Sequence, residues 1–569
     1  MCALAGCAAA PIPAIQGASH HSPYAGRSVS VRGVVTAVEG RGFYLQDETG
    51  DDDPATSDGI FVYTKKRPSV GVGDRLKITA EVQEFVPGGA RTGNLSVTEL
   101  AGPVMERLGH VERLPAPIVI GTNGRQLPAS RIDDDELKRF EPADDAIDFF
   151  ETLEGMRVRV SQPVAVSALN EYGEIFVLHD RGRFATGRNA RGGITLTAGD
   201  RNPERLQIQL DRQSIRRLQP GPDTGAFLDE VVGVVGYAFG NYEIRVTEPF
   251  DIQPSRIDRE ITALRASPAH LTLAGFNLHA LAASRGGRGR FAVLARRIVT
   301  HLGSPDIIAA QEIGDDDGAV DSGEVDARHT AALLIAAIEA AGGPRYRYVD
   351  LPPEDGADGG PPGGNIRVGF FYEPTRVTLV ADSLKRLEDT NAADGDSFSA
   401  SRKPLVAEFM FNDARLVVVN VHLSSKRGGT PLFGRVRPPV DGNAGRRAAQ
   451  AALIAERVDE IARDHAGANI VVAGDFNDFD FAIPLEILGR SGGGLVNLMR
   501  TLPERERYTY VFDGNAQALD HVLVSPALAA EAELDIVHVN AEFAEQASDH
   551  DPVVVRLFMP AADNRTVAR

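Results

Sequence analysis

The spacing of apolar residues changes at about residue 260, and this change limits the folds open to the chain. Before it, short apolar segments are separated by turn residues, a pattern typical of β-strands. After it, apolar strands alternate with alanine-rich stretches at 290–302, 327–341 and 444–464, which are typical of helices. We therefore expect a β-rich first part and an α/β second part, with roughly two to four domains in total.

The β-rich part contains two similar segments. Five short strands are predicted in residues 28–105, which favours a small Greek-key barrel such as an OB-like module. After a polar connection, about five more strands are predicted within 106–257, so this range is interpreted as a linker and a second OB-like module. VRGVVTAV in the first segment resembles MRVRVSQPVAV in the second, which indicates a diverged repeat. Residues 1–27 are predicted to be a tail.

The N-terminal tail contains both cysteines of the chain, Cys2 and Cys7. No disulfide can therefore join the predicted domains. Leu4-Ala5-Gly6-Cys7 resembles a bacterial lipobox, so a lipid anchor at Cys7 and a chance match are the two interpretations of this motif. The basic and apolar regions of a signal peptide do not precede this motif. No run of 18 apolar residues occurs, and no transmembrane segment is predicted.

The net charge limits how the chain can bind a polyanion. It is −19, which argues against a large basic surface for nucleic acid. A phosphodiester substrate would then need local arginines and a bound cation.

Polar side chains lie at the ends of the apolar strands in the α/β part. Side chains alternate faces along a strand, and ligands of open α/β sheets bind at strand ends. We therefore expect these residues to converge at one edge of the sheet. Four runs end in them and two more begin with them: LTLAGFN at Asn277, DIIAAQE at Glu312, LVVVNVH at Asn420 and His422, NIVVAGDFN at Asp475 and Asn477, ALDH at Asp520 and His521, and SDHDP at Ser548 to Asp551.

These residues are mainly carboxylates, amides and histidines. Oxygen ligands of this kind suit Mg²⁺ or Mn²⁺, and two histidines can serve as general acid and base for direct attack by water. Each residue alone has an ordinary explanation: Asn277 as a turn residue, Glu312 as a helix cap and His422 as a core histidine. Their recurrence at five or six strand ends favours a site. The acidic loop 314–324 is a candidate for Ca²⁺ but lacks the EF-hand pattern, and a solvated loop is the favoured interpretation.

The motifs occur in the order typical of one superfamily. FN (276–277), QE (311–312), NVHLSSK (420–426), GDFND (474–478), LDH (519–521) and SDHDPV (548–553) resemble the endonuclease/exonuclease/phosphatase superfamily. PPGGNIRVGFFY (361–372), SRKPLVAEF (401–409) and TPLFG (430–434) resemble its bacterial extracellular nucleases of the ExeM/NucH type, in which OB-like modules precede the catalytic domain. The resemblance implies a DNase-I-like, four-layer α/β sandwich over residues 262–560.

The resemblance also implies roles for individual residues. Asn277, Glu312 and Asp549 are expected on the metal side, and Asp475 with Asn477 is expected to position water and a phosphate oxygen. His550, backed by Asp520, is expected to activate water, while His422 stabilises phosphate and protonates the leaving oxygen. The candidates for binding substrate phosphate are Asn420, Arg367, Arg402 and Lys426. Ordinary surface cations are the alternative interpretation of the last three.

The function implied is that of a secreted, periplasmic or envelope-attached nuclease. It would hydrolyse DNA, or RNA as an alternative, with Mg²⁺ or Mn²⁺ and with Ca²⁺ as another candidate ion. A monomer is expected. Two other functions stay open at this point: a phosphatase or phospholipase that acts on a small phosphoester, and a non-catalytic polymer-binding protein.

Overall fold

The computed structural model describes residues 8–284, 287–387, 397–465 and 467–561, so Cys7 lies outside the described residues. The chain divides into two compact units. The first unit consists of the described residues up to Ile257 together with Gly428–Asp441 and Asp513–Asn515. The second takes Asp258–Arg427, Gly442–Phe512 and the chain from Ala516. None of the described helices is long and apolar enough to cross a membrane.

The first sheet of the first unit closes on itself. Its strands follow the order β1-β2-β3-β4-β6-β5, and β5 also pairs with β2. Side chains of β5 alternate between buried and less buried positions, so one face of the strand lines an apolar interior. A short helix, α1 (Ile12–Gln16), contributes Ile12 and Ile15 to this core. The strands are β1 (Ala8–Ala9), β2 (Ser28–Val38), β3 (Gly42–Gln46), β4 (Gly59–Tyr63), β5 (Asp74–Phe85) and β6 (Val97–His110).

The second sheet of this unit has nine described strands, more than the five or so predicted. Four of them have only two or three residues, too few to show an alternating pattern in the sequence. The helices of this part are α2 (Ala146–Glu151) and α3 (Arg212–Arg217). The strands are β7 (Ile118–Ile120), β8 (Arg157–Val160), β9 (Val164–Ala165), β10 (Glu174–Leu178), β11 (Leu206–Gln209), β12 (Phe227–Leu228), β13 (Val231–Ala238), β14 (Asn241–Val246) and β15 (Ile252–Gln253).

The second unit contains two large sheets. The first has the order β18-β19-β17-β16-β30-β29 and the second β20-β22-β23-β24-β28-β25, with β21 paired to β22. The strands are β16 (His270–Leu281), β17 (Ile307–Gly314), β18 (Arg347–Val349), β19 (Ile366–Tyr372), β20 (Thr378–Leu379), β21 (Lys385–Arg386), β22 (Leu405–Phe411), β23 (Ala414–His422), β24 (Asn469–Asp475), β25 (Val496–Asn497), β26 (Tyr510–Phe512), β27 (Asn515–Gln517), β28 (Asp520–Val524), β29 (Glu533–Ile536) and β30 (Val553–Phe558).

The helices of this unit cover the outer faces of the two sheets. The sheets share one apolar core, while separate cores join the first sheet to α4 and α5 and the second sheet to α6 and α7. The result is a four-layer α/β sandwich, because each sheet buries both faces. The helices are α4 (Gly287–Arg296), α5 (Arg328–Ala340), α6 (Ala444–Asp464), α7 (Ile483–Leu488) and α8 (Pro526–Ala529), with a π-helical turn at Arg297–His301 and 3-10 turns at Leu498–Thr501 and Glu504–Glu506. The first unit has 3-10 turns at Ala90–Thr92 and Asp180–Gly182.

Two segments from within the predicted range 262–560 belong to the first unit. Phe433, in Gly428–Asp441, is 3% exposed in the apolar core of that unit, and Tyr237 Oη donates a hydrogen bond of 2.8 Å to its carbonyl. Arg437 of the same segment pairs with Asp133 at 3.3 Å. The predicted catalytic range is therefore interrupted. The boundaries at 28–105 and 106–257 stay predictions.

Truncation of Phe433 tests whether this segment is part of the core. Phe433→Ala should lower the stability of the first unit by about 3–5 kcal/mol, because a buried aromatic side chain leaves a cavity. Val440→Ala is the matched control, since Val440 lies in the same segment and is 52% exposed. Thermal and urea unfolding of the full chain measure both variants. Equal stability of the two variants would contradict the placement of Phe433.

Candidate active site

The two sheets of the second unit bring carboxylates together at one edge. Asn277 on β16 and Glu312 on β17 belong to the first sheet, and Asp475 ends β24 of the second. The Asn277 amide nitrogen Nδ2 donates to Glu312 Oε1 at 3.3 Å and to Asp475 Oδ2 at 3.1 Å. One amide group thus holds a carboxylate from each sheet.

A β-bulge places Glu312 in this cluster. The pairing of β17 with β19 shifts register between Ala310 and Ile313, and Glu312 has a left-handed φ of 53°. A bulge re-aims a side chain relative to regular pleating, and strained backbone of this kind is common at functional sites. Asn477 also has a left-handed φ, 49°, just after β24.

His422, at the end of β23, lies beside the same carboxylates. Its Nε2 is 3.5 Å from Asp475 Oδ2 and 3.9 Å from Glu312 Oε1. Its Nδ1 is buried and has no hydrogen-bond partner among the described residues. Burial, followed by the charges of Arg402 and His550, holds the pKa of His422 well below its usual value. The imidazole is therefore neutral at neutral pH.

His550 has the opposite protonation. Its Nδ1 lies 2.7 Å from Asp520 Oδ2, and Thr509 Oγ1 donates to the same carboxylate oxygen at 2.6 Å. Its Nε2 is 3.8 Å from Asp475 Oδ2. Burial lowers the pKa of His550, but the negative charges of Asp520 and Asp475 outweigh it and raise the pKa well above the usual value. The imidazole is therefore charged at neutral pH.

Asp475 lies at the centre of these contacts. Burial, reinforced by the charges of Asp520 and Glu312, raises the pKa of Asp475 to about 7, although His550 and the backbone N–H of Asn477 oppose the shift. A carboxyl group with this pKa can take up or release a proton near neutral pH.

The site has the properties that a divalent cation needs. Asp475, Asp520 and His550 each offer an atom within 4.8 Å of the others, and Asp520 Oδ1 is buried without a partner among the described residues. An imidazolium carries a proton on both nitrogens, so His550 in its charged form cannot be a ligand. The donors that fit a hard cation such as Mg²⁺ or Mn²⁺ are thus oxygens, with Glu312 and Asn277 next to Asp475.

Arg402 and Asn477 are joined at the same edge. The carbonyl oxygen of Leu423 accepts hydrogen bonds from Arg402 Nη2 at 2.5 Å and from Asn477 Nδ2 at 3.1 Å. Burial lowers the pKa of Arg402, while the charges of Glu312 and Asp475 act against this. The guanidinium therefore lies in the electric field of the carboxylate cluster.

Asn420 and Arg367 occupy positions different from those expected. The Asn420 side chain accepts from Gln311 at 2.7 Å and donates to the carbonyls of Ala310 at 3.0 Å and Gly369 at 2.9 Å, so it ties the two sheets together and has no group left for phosphate. The buried Arg367 guanidinium bonds to Asp350 and to the carbonyls of Val325 and Asn365.

Lys426 and Asp549 contact other partners. Lys426 Nζ lies 3.0 Å from Asp478 Oδ1 and 4.3 Å from the centre of the Phe479 ring. Asp549 Oδ1 pairs with His279 Nδ1 at 2.9 Å. The predicted metal role of Asp549 and the phosphate role of Lys426 therefore stay predictions.

Three residues near the site were not predicted from the sequence. His279 pairs with Asp549, Thr509 supports Asp520, and the fully buried Arg447 donates to Asp478 at 2.8 Å. His279 follows Asn277 by two residues, the period that places side chains on one face of a strand, and could have been found by this signal. Thr509 and Arg447 lie in segments with no comparable pattern.

Asp520→Asn tests the electrostatic coupling to His550. The amide keeps the shape of the carboxylate but removes its charge, so the pKa of His550 should fall toward its usual value. Asp549→Asn should lower it less, because the charge of Asp549 makes a smaller contribution. NMR titration of ¹³C-labelled histidine, assigned with His550→Gln, measures both. An unchanged titration in Asp520→Asn would contradict the pair.

Two protein-family models match parts of the chain. Residues 274–550 match the sequence model of the Endonuclease/Exonuclease/phosphatase family, whose members hydrolyse phosphoesters and generally depend on a divalent metal. Residues 119–255 match a Domain of unknown function (DUF8508). A search of curated proteins gave no match.

Several solved structures are similar to about half of the chain. One is truncated TDP2 of Caenorhabditis elegans, with 15% sequence identity and a TM-score of 0.35 over 51% of this chain and 98% of that one. Another is the human Nocturnin catalytic domain, with 16% identity and a TM-score of 0.35 over 52% of this chain and 97% of that one. A third is an endonuclease/exonuclease/phosphatase family protein of Bacteroides thetaiotaomicron, with 21% identity and a TM-score of 0.35 over 51% of this chain and 94% of that one. The residues from Asn277 to His550 all fall within the range that matches the family model, and this part of the chain belongs to the endonuclease/exonuclease/phosphatase family.

Proposed function

We propose that this protein is a metal-dependent nuclease that hydrolyses phosphodiester bonds of DNA, with RNA as the alternative polymer, by direct attack of water. The observation that carries the proposal is the position of Asp475. It lies between a carboxylate–amide pair suited to a cation, Glu312 and Asn277, and the charged His550. Attack on phosphorus needs a proton acceptor and positive charge close together.

Glu312 and Asn277 are the residues that would hold Mg²⁺ or Mn²⁺, and Ca²⁺ is a further candidate. When bound, such a cation acts as a Lewis acid toward a phosphoryl oxygen and offsets charge that develops there. Asn277 also holds Asp475 in place, because its amide nitrogen donates hydrogen bonds to both Glu312 and Asp475. Loss of Asn277 would therefore release both carboxylates.

Asp475 is the group that we assign as proton acceptor for the attacking water. Its pKa of about 7 suits that role, since a general base works best when its pKa is near the operating pH. The resemblance implied this role for His550, but the charges of Asp520 and Asp475 keep that imidazole protonated. His550 is then placed to stabilise negative charge on the phosphate or to donate a proton.

The remaining side chains would position the phosphate. Arg402 and Asn477 share the Leu423 carbonyl, and this arrangement holds both side chains at the edge of the cluster. A guanidinium offers two parallel donors to phosphate oxygens. His422 is neutral and can accept or donate a hydrogen bond through Nε2.

A polymeric substrate is favoured by the first unit. In its first sheet, five strands close into a barrel in which β4 pairs parallel to β6 and β5 returns to β2. This pattern of strand pairing supports an OB-like module, a fold that binds oligonucleotides and oligosaccharides. The resemblance to ExeM/NucH-type nucleases supports the same substrate and an exported location, with the lipobox-like Leu4-Ala5-Gly6-Cys7 as a candidate anchor. A monomer stays our expectation.

The proposed function predicts a chelator-sensitive nuclease. The full chain with Mg²⁺ or Mn²⁺ should degrade plasmid DNA, single-stranded DNA or RNA, and excess EDTA should abolish this. Glu312→Gln should lower the rate by about 100-fold or more, because a neutral amide binds the cation less tightly than a carboxylate does. Glu373→Gln, a change at a partly buried acid on the loop after β19, is the matched control and should leave the rate unchanged.

Gel assays of the polymers, together with release of phosphate from small monoesters, measure the outcome. Hydrolysis of the small monoester alone would replace the nuclease proposal by a phosphatase. Full activity in excess EDTA would contradict the metal requirement.

The pKa of Asp475 predicts the pH dependence of turnover. The carboxylate must be ionised to accept a proton, so kcat should rise with pH, with the midpoint of the rise at or below about pH 7. A bound cation favours the ionised form and shifts the rising limb to lower pH. Rates at saturating Mg²⁺ from about pH 4 to pH 8 measure this limb. A kcat that falls with rising pH across this range would contradict the assignment.

A further inference from the structure

We propose that Asp134, Glu141 and Asp145 of the first unit form a binding site for a divalent cation, Ca²⁺ in preference to Mg²⁺. These residues lie on the polar connection before α2 and at its start. They fall within residues 119–255, the range matched by the Domain of unknown function (DUF8508). The site is separate in sequence from the proposed catalytic residues and does not rest on the proposed function.

The three carboxylates converge. Each offers an oxygen, and these oxygens all lie within 4.8 Å of one another. The residues differ in exposure: Asp134 is exposed, Glu141 half-buried and Asp145 1% exposed. Like charges at such distances repel, and an anionic cluster that is partly shielded from water needs a compensating positive charge.

A buried oxygen in the cluster has no donor. Asp145 Oδ1 is buried and makes no hydrogen bond within the described part of the chain. Asp145 precedes α2, a position where an aspartate often caps the helix, yet its side chain accepts no capping hydrogen bond. An unpartnered buried carboxylate oxygen is costly, and a cation bound in the cluster would satisfy it.

The arginines near the cluster leave Asp145 unpaired. Arg131 pairs with Asp134 at 2.9 Å, and Arg139 pairs with Glu141 at 3.1 Å. Both guanidinium groups are more than half exposed, so these ion pairs are weak and can yield to a cation. No ion pair of Asp145 occurs among the described residues.

The chemistry of the site favours Ca²⁺. All donors are carboxylate oxygens, and the open side at Asp134 leaves room for water ligands. Ca²⁺ accepts six to eight oxygens in flexible geometry, whereas Mg²⁺ demands a near-ideal octahedron. The other acidic loop, 314–324, differs: Asp315 and Asp316 accept hydrogen bonds from the backbone N–H groups of Gly318, Asn365, His329 and Thr330.

Binding would cross-link the connection to the core of the first unit. Ile132 and Ile147 belong to the same apolar core, and Ile147 N donates to the Ile132 carbonyl at 3.1 Å. Asp134 follows Ile132 by two residues, and Asp145 precedes Ile147 by two residues, so both acids lie close in sequence to this hydrogen bond. A cation bound between them would therefore stabilise the first unit.

The test is calcium titration of the EDTA-treated full chain, compared with Asp145→Asn. The isosteric amide removes a charged ligand, and Asp144→Asn is the matched control because Asp144 is exposed and lies outside the cluster. By calorimetry, wild type and Asp144→Asn should bind one more equivalent of Ca²⁺ than Asp145→Asn. Saturating Ca²⁺ should raise their melting temperature by roughly 5 °C more than that of Asp145→Asn.

A parallel measurement in EDTA shows whether the variant folds. Asp145→Asn should then melt at or above the wild-type temperature, because the amide removes repulsion from Asp134 and Glu141. Equal Ca²⁺ stoichiometry in wild type and Asp145→Asn would overturn the proposal, as would tighter binding of Mg²⁺ than of Ca²⁺. Nuclease activity with Mg²⁺ is a separate readout, so failure of either proposal is seen independently.

Discussion

The site depends on the repulsion among three carboxylates, those of Glu312, Asp475 and Asp520, which are held at one edge of two packed sheets. Burial, reinforced by the charges of Asp520 and Glu312, raises the pKa of Asp475 to about 7, and the charges of Asp520 and Asp475 keep His550 protonated. Neighbouring donors partly offset this negative charge. Asn277 donates hydrogen bonds to the carboxylates of Glu312 and Asp475, and His550 pairs with Asp520. A divalent cation is the compensation that such a field favours.

The packing of the sheets is what makes this concentration of charge possible. The shared apolar core fixes the two sheets face to face, and Asn420 links them by hydrogen bonds to Ala310 and Gly369. A fixed scaffold can hold like charges that a flexible loop would separate. The bulge at Glu312 then turns one carboxylate toward the others.

Much of this arrangement could be predicted from the sequence. The polar residues at the ends of apolar strands, such as His422 and Asp475, follow from strand periodicity and the edge-binding rule. The contacts of Asn420 and Arg367 could not be predicted, because a buried asparagine or arginine has the same local pattern whether it meets a ligand or a carbonyl. The placement of Phe433 in the first unit also depends on tertiary contacts that no local pattern reveals.

Glu312 and Asn277, beside Asp475, are the residues that we propose hold a divalent cation for phosphoester hydrolysis. Anomalous scattering from a crystal of the full chain grown with Mn²⁺ locates such a cation. We expect a manganese peak within coordination distance of Glu312 in the wild type, and its loss in a Glu312→Gln crystal. A wild-type crystal that binds Mn²⁺ elsewhere but shows no peak at Glu312 would rule out this cation site.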